Sequence, residues 1–590
     1  MIAACRYPEV LADTSMRSFA PRPSHRRPSA LVSAVIALTS LLASASPLVP
    51  GVAVATVGAE PASNAGPSAF VAIAPTRLAD TRPDSGVGGF TQVSDRLVRV
   101  QVAGRAGVPS TASAAVVNIT AVDTQASGWV AAFPAGEAMP EASSLNVDRA
   151  GRVISNLATV RLGPSGEIDI ATSSAMHLVV DVVGAYAPRP AAVAAGRLET
   201  LKQGAVRALD TRQQLWPLAA GEARTVDVGA VGVPAGASAV VVSLVATEAE
   251  VGYWTAFPTG QARPLASSMN VDTPGQTRSA QAIISLAPGT RTFQVFSQTG
   301  GHLVVDVAGW FTGPTAPVST DGLFVPTSPT RVLDTRATFS LAPWGGTTLE
   351  FGTGSPFPFT TAAVALNVTA TDPWYLGYVT VHPAGVQRPG SSNLNVTSLD
   401  QIVANHAIVR AGSRGLSVFT QSGTHLVADV AGWYLGTPEP STLPEPYTAP
   451  TTPTAAVGIA APGAGIGTSI GTNRNINANI DSGRAGLWMG SGQLGLAEHN
   501  VYFAHRTSHG GPFRTLDRLT IGSTFSMVGA DGRTYQYLVT RQDVILPKPA
   551  ELLKVVNAAG PITVTLVACH PPGSIRYRLA VSGRLIGVSG

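Results

Sequence analysis

The chain has 590 residues, of which 13% are charged and 45% hydrophobic, with 61 glycines and 45 prolines. This composition excludes a coiled coil, an ordinary helical cytosolic enzyme and a disordered chain, and the length predicts about three to five domains. The formal net charge of +4 is unevenly placed: residues 1–55 carry +3, residues 56–454 carry −5, and residues 455–590 carry +6 from 12 Lys/Arg against 6 Asp/Glu. The chain as a whole is therefore not a nucleic-acid binder, although its C-terminal part could meet an anionic surface. Its two cysteines, Cys5 and Cys569, are too few for a disulfide framework.

The N-terminus reads as an export segment. Arg17, Arg22, Arg26 and Arg27 precede an apolar run from Ala30 to Ala45, and small-x-small sites follow at Ala43–Ala45 and Ala53–Ala55. A positive region, an apolar region and a small-residue cleavage site in that order describe a secretory signal. Ala30 to Ala55 is also long enough to span a bilayer, although Pro47 and Pro50 interrupt it. Residues 1–55 are thus a signal peptide or a signal anchor, and either reading puts the rest of the chain outside the cytoplasm, at the cell envelope or secreted.

Internal similarity follows. The pattern Arg77-Leu-Ala-Asp80-Thr-Arg82 recurs as Arg207-Ala-Leu-Asp210-Thr-Arg212 and Arg331-Val-Leu-Asp334-Thr-Arg336. Each is followed by a His-Leu-Val-x-Asp landmark: His177–Asp181, His302–Asp306 and His425–Asp429. These lead to a glycine and then to Tyr186, Trp310-Phe311 and Trp433-Tyr434. Serine-asparagine elements lie between (Ser143–Asn146, Ser267–Asn270, Ser391–Asn395), as do turns after Phe133, Phe257 and His382. Landmarks recurring in one order define repeats, at 68–188, 197–313 and 322–436.

Each repeat reads as β structure. Runs such as Ala115–Thr120, Ala239–Val245 and Ala363–Thr369 are β-branched and apolar, bounded by Gly, Pro, Ser and Asn. Units of this length can bury their own cores, so three tandem β-sandwich or barrel-like domains are expected. The Asp-Thr-Arg set could bind a sugar or an ion. The favoured expectation is an internal salt-bridged corner with the Thr bonding the backbone. His and Asp four apart share a strand face, where a hydrogen bond at the core edge is expected before metal binding. In this order the repeats resemble the "RLxDTR" tandem repeats of exported actinobacterial surface proteins. That resemblance leaves stalk, spacer and binding of cell-wall carbohydrate as the roles to consider.

Residues 437–454 form a proline-rich linker, with Pro438, Pro440, Pro444, Pro446, Pro450 and Pro453. In the remaining domain, 455–590, Ile562–Cys569 is an apolar β-branched strand ending in Cys569-His570-Pro571. A second strand carries Arg576, Arg578 and Val581, and Asn500–His505 is a third, ending in His505-Arg506. A thiol, an imidazole and a guanidinium at strand ends make a candidate nucleophile with a base and a charge stabiliser. A lone cysteine ending an apolar strand is otherwise a buried core residue. No CxxC or HExxH pattern completes a zinc site around His505, His509, Cys569 and His570, so no metal and no cofactor is assigned. His509 and His570 are expected to line the groove, and His499 to be a surface strand residue.

These residues resemble a sortase, the cysteine transpeptidase of Gram-positive envelopes, of class E or F type. The matching pieces are Ala504-His505-Arg506-Thr507, Gly511-Pro512-Phe513 with Leu516 and Leu519, Gly522 with the Gly529–Tyr537 hairpin, Thr565-Leu566, Cys569-His570-Pro571 and Arg578-Leu-x-Val581. The resemblance implies a β-barrel and three roles. Cys569 attacks a peptide carbonyl in a sorting signal and forms a thioacyl enzyme. His505 protonates the leaving amine and later deprotonates the acceptor amine. Arg578, with Arg576 as the alternative, stabilises the oxyanion or orients the peptide. The implied partners are proteins with C-terminal sorting signals and an amine of a peptidoglycan precursor or of another protein. Two departures stand out: Ala568 where the family has Thr, and Ala504 where it has Gly. The alternatives are an adhesion or stalk protein with a weakly active or inactive domain, and a hydrolase that releases surface proteins.

Overall fold

The computed structural model describes residues 66–590 apart from 203, 214–215, 338–344, 350–356, 387, 443–452, 489–490, 492, 495–498, 549–550, 553–554 and 556–561. The export segment 1–55 and most of the proline linker therefore lie outside the described residues. The chain is all-β, as its alternating and β-branched segments require.

Three successive units, each a two-layer sandwich, precede the C-terminal domain. In the first, the strands Ser68–Asp80, His177–Pro188, Ala114–Val122 and Ile154–Arg161 form an inner layer, and five shorter strands form an outer one. The second and third units repeat this arrangement with outer layers of four strands, their inner layers built around Ala239–Ala249 and Thr361–Thr371. Each sandwich encloses its own apolar core.

The central strands show why their apolar runs are nearly continuous. Ala115, Val117, Ile119 and Ala121 face the first unit's own core, whereas Ala114 and Val116 face a different cluster. Val240, Val242, Leu244 and Ala246 alternate in the same way with Ala239 and Val241, and Val364, Leu366, Val368 and Ala370 with Ala363 and Ala365. Side chains alternate along a strand, so a strand buried on both faces has no polar face. The second face belongs to one core shared by all three units. Phe70 and Phe311 stack there at 4.0 Å, Phe324 lies 4.9 Å from Tyr434, and the hydroxyls of Tyr186 and Tyr434 are hydrogen-bonded. The glycine of the His-Leu-Val-x-Asp landmark makes room for this core: a Cβ on Gly184 would lie 2.2 Å from the Phe70 ring.

The units therefore do not form an array of separate domains. They close on themselves. Asn118 donates to Ser267 O of the second unit (2.6 Å), Ser243 to Ser392 O of the third (3.4 Å), and Asn367 to Ser143 O of the first (2.6 Å). The three donors occupy matching inward-facing positions, two residues beyond Val116, Val241 and Ala365, so the contacts run in a circle. Near the centre, His406 of the third unit bonds Thr159 of the first (3.1 Å) and Gln281 of the second (2.8 Å).

The Asp-Thr-Arg motifs form the expected corners. Arg77 donates to Asp181 (2.8 Å), Arg82 grips Asp80 with two nitrogens (2.9 and 2.6 Å), and Leu178 N donates to Thr81 Oγ1 (2.8 Å). The other two units repeat these bonds. The landmark histidine and aspartate are not bonded as a pair. His177 meets Thr81, and Asp181 meets Arg77.

The C-terminal domain is one eight-stranded sheet. Its order is Ile466–Ser469, Ala456–Ala461, Thr524–Gly529, Thr534–Ile545, Tyr577–Ser589, Thr563–His570, His499–Phe503, Gly486–Leu487. The sheet curls until its edges meet: Ala485 N donates to Ser469 O (3.0 Å) and Gly471 N to Ala485 O (2.8 Å). Pairing the edges in this way removes open strand edges. The curl encloses Tyr502, Phe513, Phe525, Tyr535 and Tyr537. Trp374 of the third unit packs against this domain, its ring 6.3 Å from that of Tyr577.

Candidate active site

Three neighbouring strands bring Cys569, His505 and Arg578 to one end of one sheet face. Thr563–His570 and Tyr577–Ser589 are antiparallel, with Cys569 directly opposite Arg578. His499–Phe503 runs parallel to the cysteine strand with Phe503 opposite Val567, and Ala504 N continues the ladder to Val567 O at 3.2 Å. Alternation completes the placement. Val567, Ala580, Phe503 and Val501 share one cluster on this face, and Cys569, Arg578 and His505 stand two residues from Val567, Ala580 and Phe503. Ala568, Leu566 and Val564 point to the opposite side, into the curled core.

All three side chains are buried: Cys569 is 4% exposed, His505 1% and Arg578 6%. Arg578 donates through Nη1 to the carbonyls of Ile575 (2.9 Å) and Tyr577 (3.0 Å). Arg576 is not its equal. It precedes the strand, is exposed, and lies with its guanidinium 5.3 Å from the Tyr577 ring. The sulfur of Cys569 is in a disulfide here, so any chemistry by this residue requires its reduction.

A short helix, Ile476–Asp481, packs on the same face through Ile480. Its N-cap is Asn475, which accepts from Asn477 N and Ala478 N. Its last residue, Asp481, lies 3.0 Å from His505 Nε2, so this nitrogen donates and the carboxylate accepts. The carboxylate fixes the ring's orientation.

Beneath the cysteine, Arg506 is fully buried and braces the strand end. It pairs with Asp517 at 2.6 Å, reaches Cys569 O at 3.5 Å, and donates to His570 Nδ1 at 2.9 Å. A nitrogen that accepts from an arginine carries no proton. Burial, followed by the Arg506 charge, lowers the His570 pKa in accord with this. The bond from His570 to Pro571 is cis.

His499 opens its strand and is half-buried, its Nε2 bonding Thr565 Oγ1 at 2.8 Å. His509 is exposed and stacks on His505 with centroids 4.6 Å apart. Sequence reasoning missed Asp481, Arg506 as a brace, and Asp517. None stands at a recognisable spacing from Cys569, and only the fold assembles them.

Residues 459–586 match the family model described as Sortase domain. The match assigns this domain, and not the three units before it, to that family. Among solved structures, the chain is similar to a lid mutant of sortase A from Corynebacterium diphtheriae, at 21% identity over 23% of this chain and 73% of that one, with a TM-score of 0.20. It is also similar to sortase C1 of Streptococcus agalactiae in complex with MTSET, at 26% identity over 22% and 68%, TM-score 0.20. A third is sortase E1 from Streptomyces coelicolor with a tripeptide in the active site, at 22% identity over 24% and 93%, TM-score 0.21. No curated protein matches the chain. Among the described residues, no helix is long and apolar enough to cross a membrane.

Proposed function

We propose that the protein is a cell-envelope cysteine transpeptidase acting on sorting-signal peptides. The observation that carries this reading is the cross-strand pairing of Cys569 with Arg578 beside His505, inside the segment that matches the sortase family. The reduced Cys569 thiolate attacks the carbonyl carbon of a scissile Thr–Gly bond. Arg578, always charged and rich in donors, stabilises the oxyanion. The C–N bond breaks, the leaving amine takes a proton from protonated His505, and a thioacyl enzyme remains. An acceptor amine then attacks the thioester and gives a proton back to His505, and the C–S bond breaks as the new amide forms. Water in place of the amine gives hydrolysis. Asp481 holds the His505 ring through both steps.

A nearby cation favours the thiolate, and the position of Arg578 opposite Cys569 supports that reading. The acceptor would be an amine of a peptidoglycan precursor or of another protein, and the protein would act on the extracellular face of the envelope. The burial of Cys569 favours a second reading, a surface protein whose C-terminal domain is catalytically silent.

Intact-mass measurement of the reduced full-length protein, incubated with a library of Leu/Ala-Pro/Ala-x-Thr-Gly peptides, tests both. A thioacyl adduct on the wild type and not on Cys569→Ala supports the transpeptidase. Diversion of product from free acid to amide on adding an amine separates it from a hydrolase. No adduct, with a reduced thiol that alkylating reagents also fail to reach, favours the silent domain.

A further inference from the structure

Asp481, His505 and His509 form a cluster that the transpeptidase reading does not fully use. One ligand atom from each lies within 4.8 Å of the others. They come from two segments: Asp481 ends the short helix, whereas His505 and His509 flank the loop after the histidine strand. The segments are locked together. His509 is held at φ +49°, in the left-handed region, and a Cβ on Gly483, two residues past Asp481, would lie 2.9 Å from His509 O.

Two imidazoles and a carboxylate are a ligand set for a borderline divalent cation of the Zn²⁺ type. Metal–ligand bonds of about 2.0–2.2 Å put tetrahedral ligand atoms about 3.4 Å apart. The Asp481–His505 separation of 3.0 Å is already close to that, and the exposed His509 ring, stacked on His505, must turn and close from within 4.8 Å. Access is open, because Asp481 and His509 are exposed while His505 is buried.

We propose that these three residues bind a divalent transition-metal cation, and that the bound ion holds the His505 nitrogen that Asp481 otherwise orients. Occupation would silence proton transfer by His505 without touching Cys569. The inhibitory consequence rests on the transpeptidase reading; the binding does not.

The binding test uses the full-length protein carrying Cys5→Ala and Cys569→Ala, so that no thiol competes. Titration with Zn²⁺ by calorimetry is expected to show one equivalent. Co²⁺ is expected to bring visible d–d absorption. Asp481→Asn and His509→Ala are each expected to weaken binding at least about tenfold, with far-ultraviolet circular dichroism showing that each variant is folded. Zinc binding that neither substitution changes, or no heat and no Co²⁺ absorption, overturns the site.

The activity test uses the reduced protein with its native cysteines. The rate with zinc is divided by the rate without it, separately for wild type and His509→Ala. The ratio should be low for wild type, recover on adding EDTA, and approach one for His509→Ala. Equal ratios in the two proteins overturn the inhibitory role. A protein that binds zinc through this cluster but acylates with no peptide keeps the site and loses the transpeptidase reading, so the two failures are distinguishable.

Discussion

Cys569 and Arg578 stand directly opposite one another on adjacent antiparallel strands. Opposed residues on one face are neighbours with Cβ atoms about 4.5–5.5 Å apart. A register slip of one residue would turn the guanidinium to the other side of the sheet. The Cys569–Arg578 pair is thus held by a backbone ladder and not by a mobile loop.

Arg578→Ala is expected to lower kcat for peptide cleavage by about 10²–10³-fold, the usual cost of removing an oxyanion donor. Arg576→Ala should change it by less than about threefold, since its side chain lies outside the strand. Steady-state rates with the peptide identified by intact mass give the comparison. Equal losses would mean that Arg576 shares the role.

Asp481→Asn keeps the shape beside His505 and removes the charge. A loss of about tenfold or more in kcat, with KM little changed, is expected if the carboxylate positions the ring during proton transfer. A change confined to KM would make Asp481 a peptide contact instead.

Ala568 packs into the curled core with Leu566 and Val564, on the opposite side from Cys569. Ala568→Thr would place a hydroxyl there, so it is expected to cost about 1–3 kcal/mol of stability and not to raise activity. Thermal denaturation and the peptide assay on one preparation decide it. A gain in turnover would show that a hydroxyl at this position reaches the site.

His406 reports on the closure of the three units. Burial lowers its pKa from 6.5 to about 3. The folded protein therefore holds it neutral while the unfolded chain protonates, and stability falls as the pH drops below 6.5 until it nears the folded value. At pH 5 this amounts to about 2 kcal/mol relative to pH 7. Denaturant unfolding at both values should show His406→Gln losing about that much less than wild type. His382, lowered to about 4 by burial, contributes equally to both proteins and cancels.

Phe311 belongs to the second unit but stacks on Phe70 of the first. Phe311→Ala is expected to cost about 3–5 kcal/mol, and to lower the unfolding of all three units together. A calorimetric trace in which only one unit's transition moves would refute a shared core.

Much of this was legible in the residues, for identifiable reasons. That Cys569, His505 and Arg578 come together could be read because each lies at or next to the end of a strand, and these strands are neighbours. The Asp-Thr-Arg corner was legible because its partners lie within one motif or one landmark. Closure was not. A run such as Ala114–Ile119 is apolar on both faces, and nothing in it says whether the second face meets its own domain or a neighbour. The signal was the break in that run: Asn118, Ser243 and Asn367 are polar at the same inward parity, and each finds its acceptor about 150–220 residues away. Asp481 and Asp517 were hidden for a related reason, since the helix and loop that carry them approach the site only once the sheet has curled.

The pairing of the first strands has a consequence for reach. Ser68 pairs with Phe324, and Phe324 pairs with Tyr434. Neighbouring strands are about 4.8 Å apart, so the chain enters and leaves the three units at points separated by about two strand widths. Several hundred residues thus add almost no distance between the first strand, at Ser68, and the last, at Tyr434. The units work as a broad hub around which the chain turns back, and the third of them meets the C-terminal domain directly through Trp374.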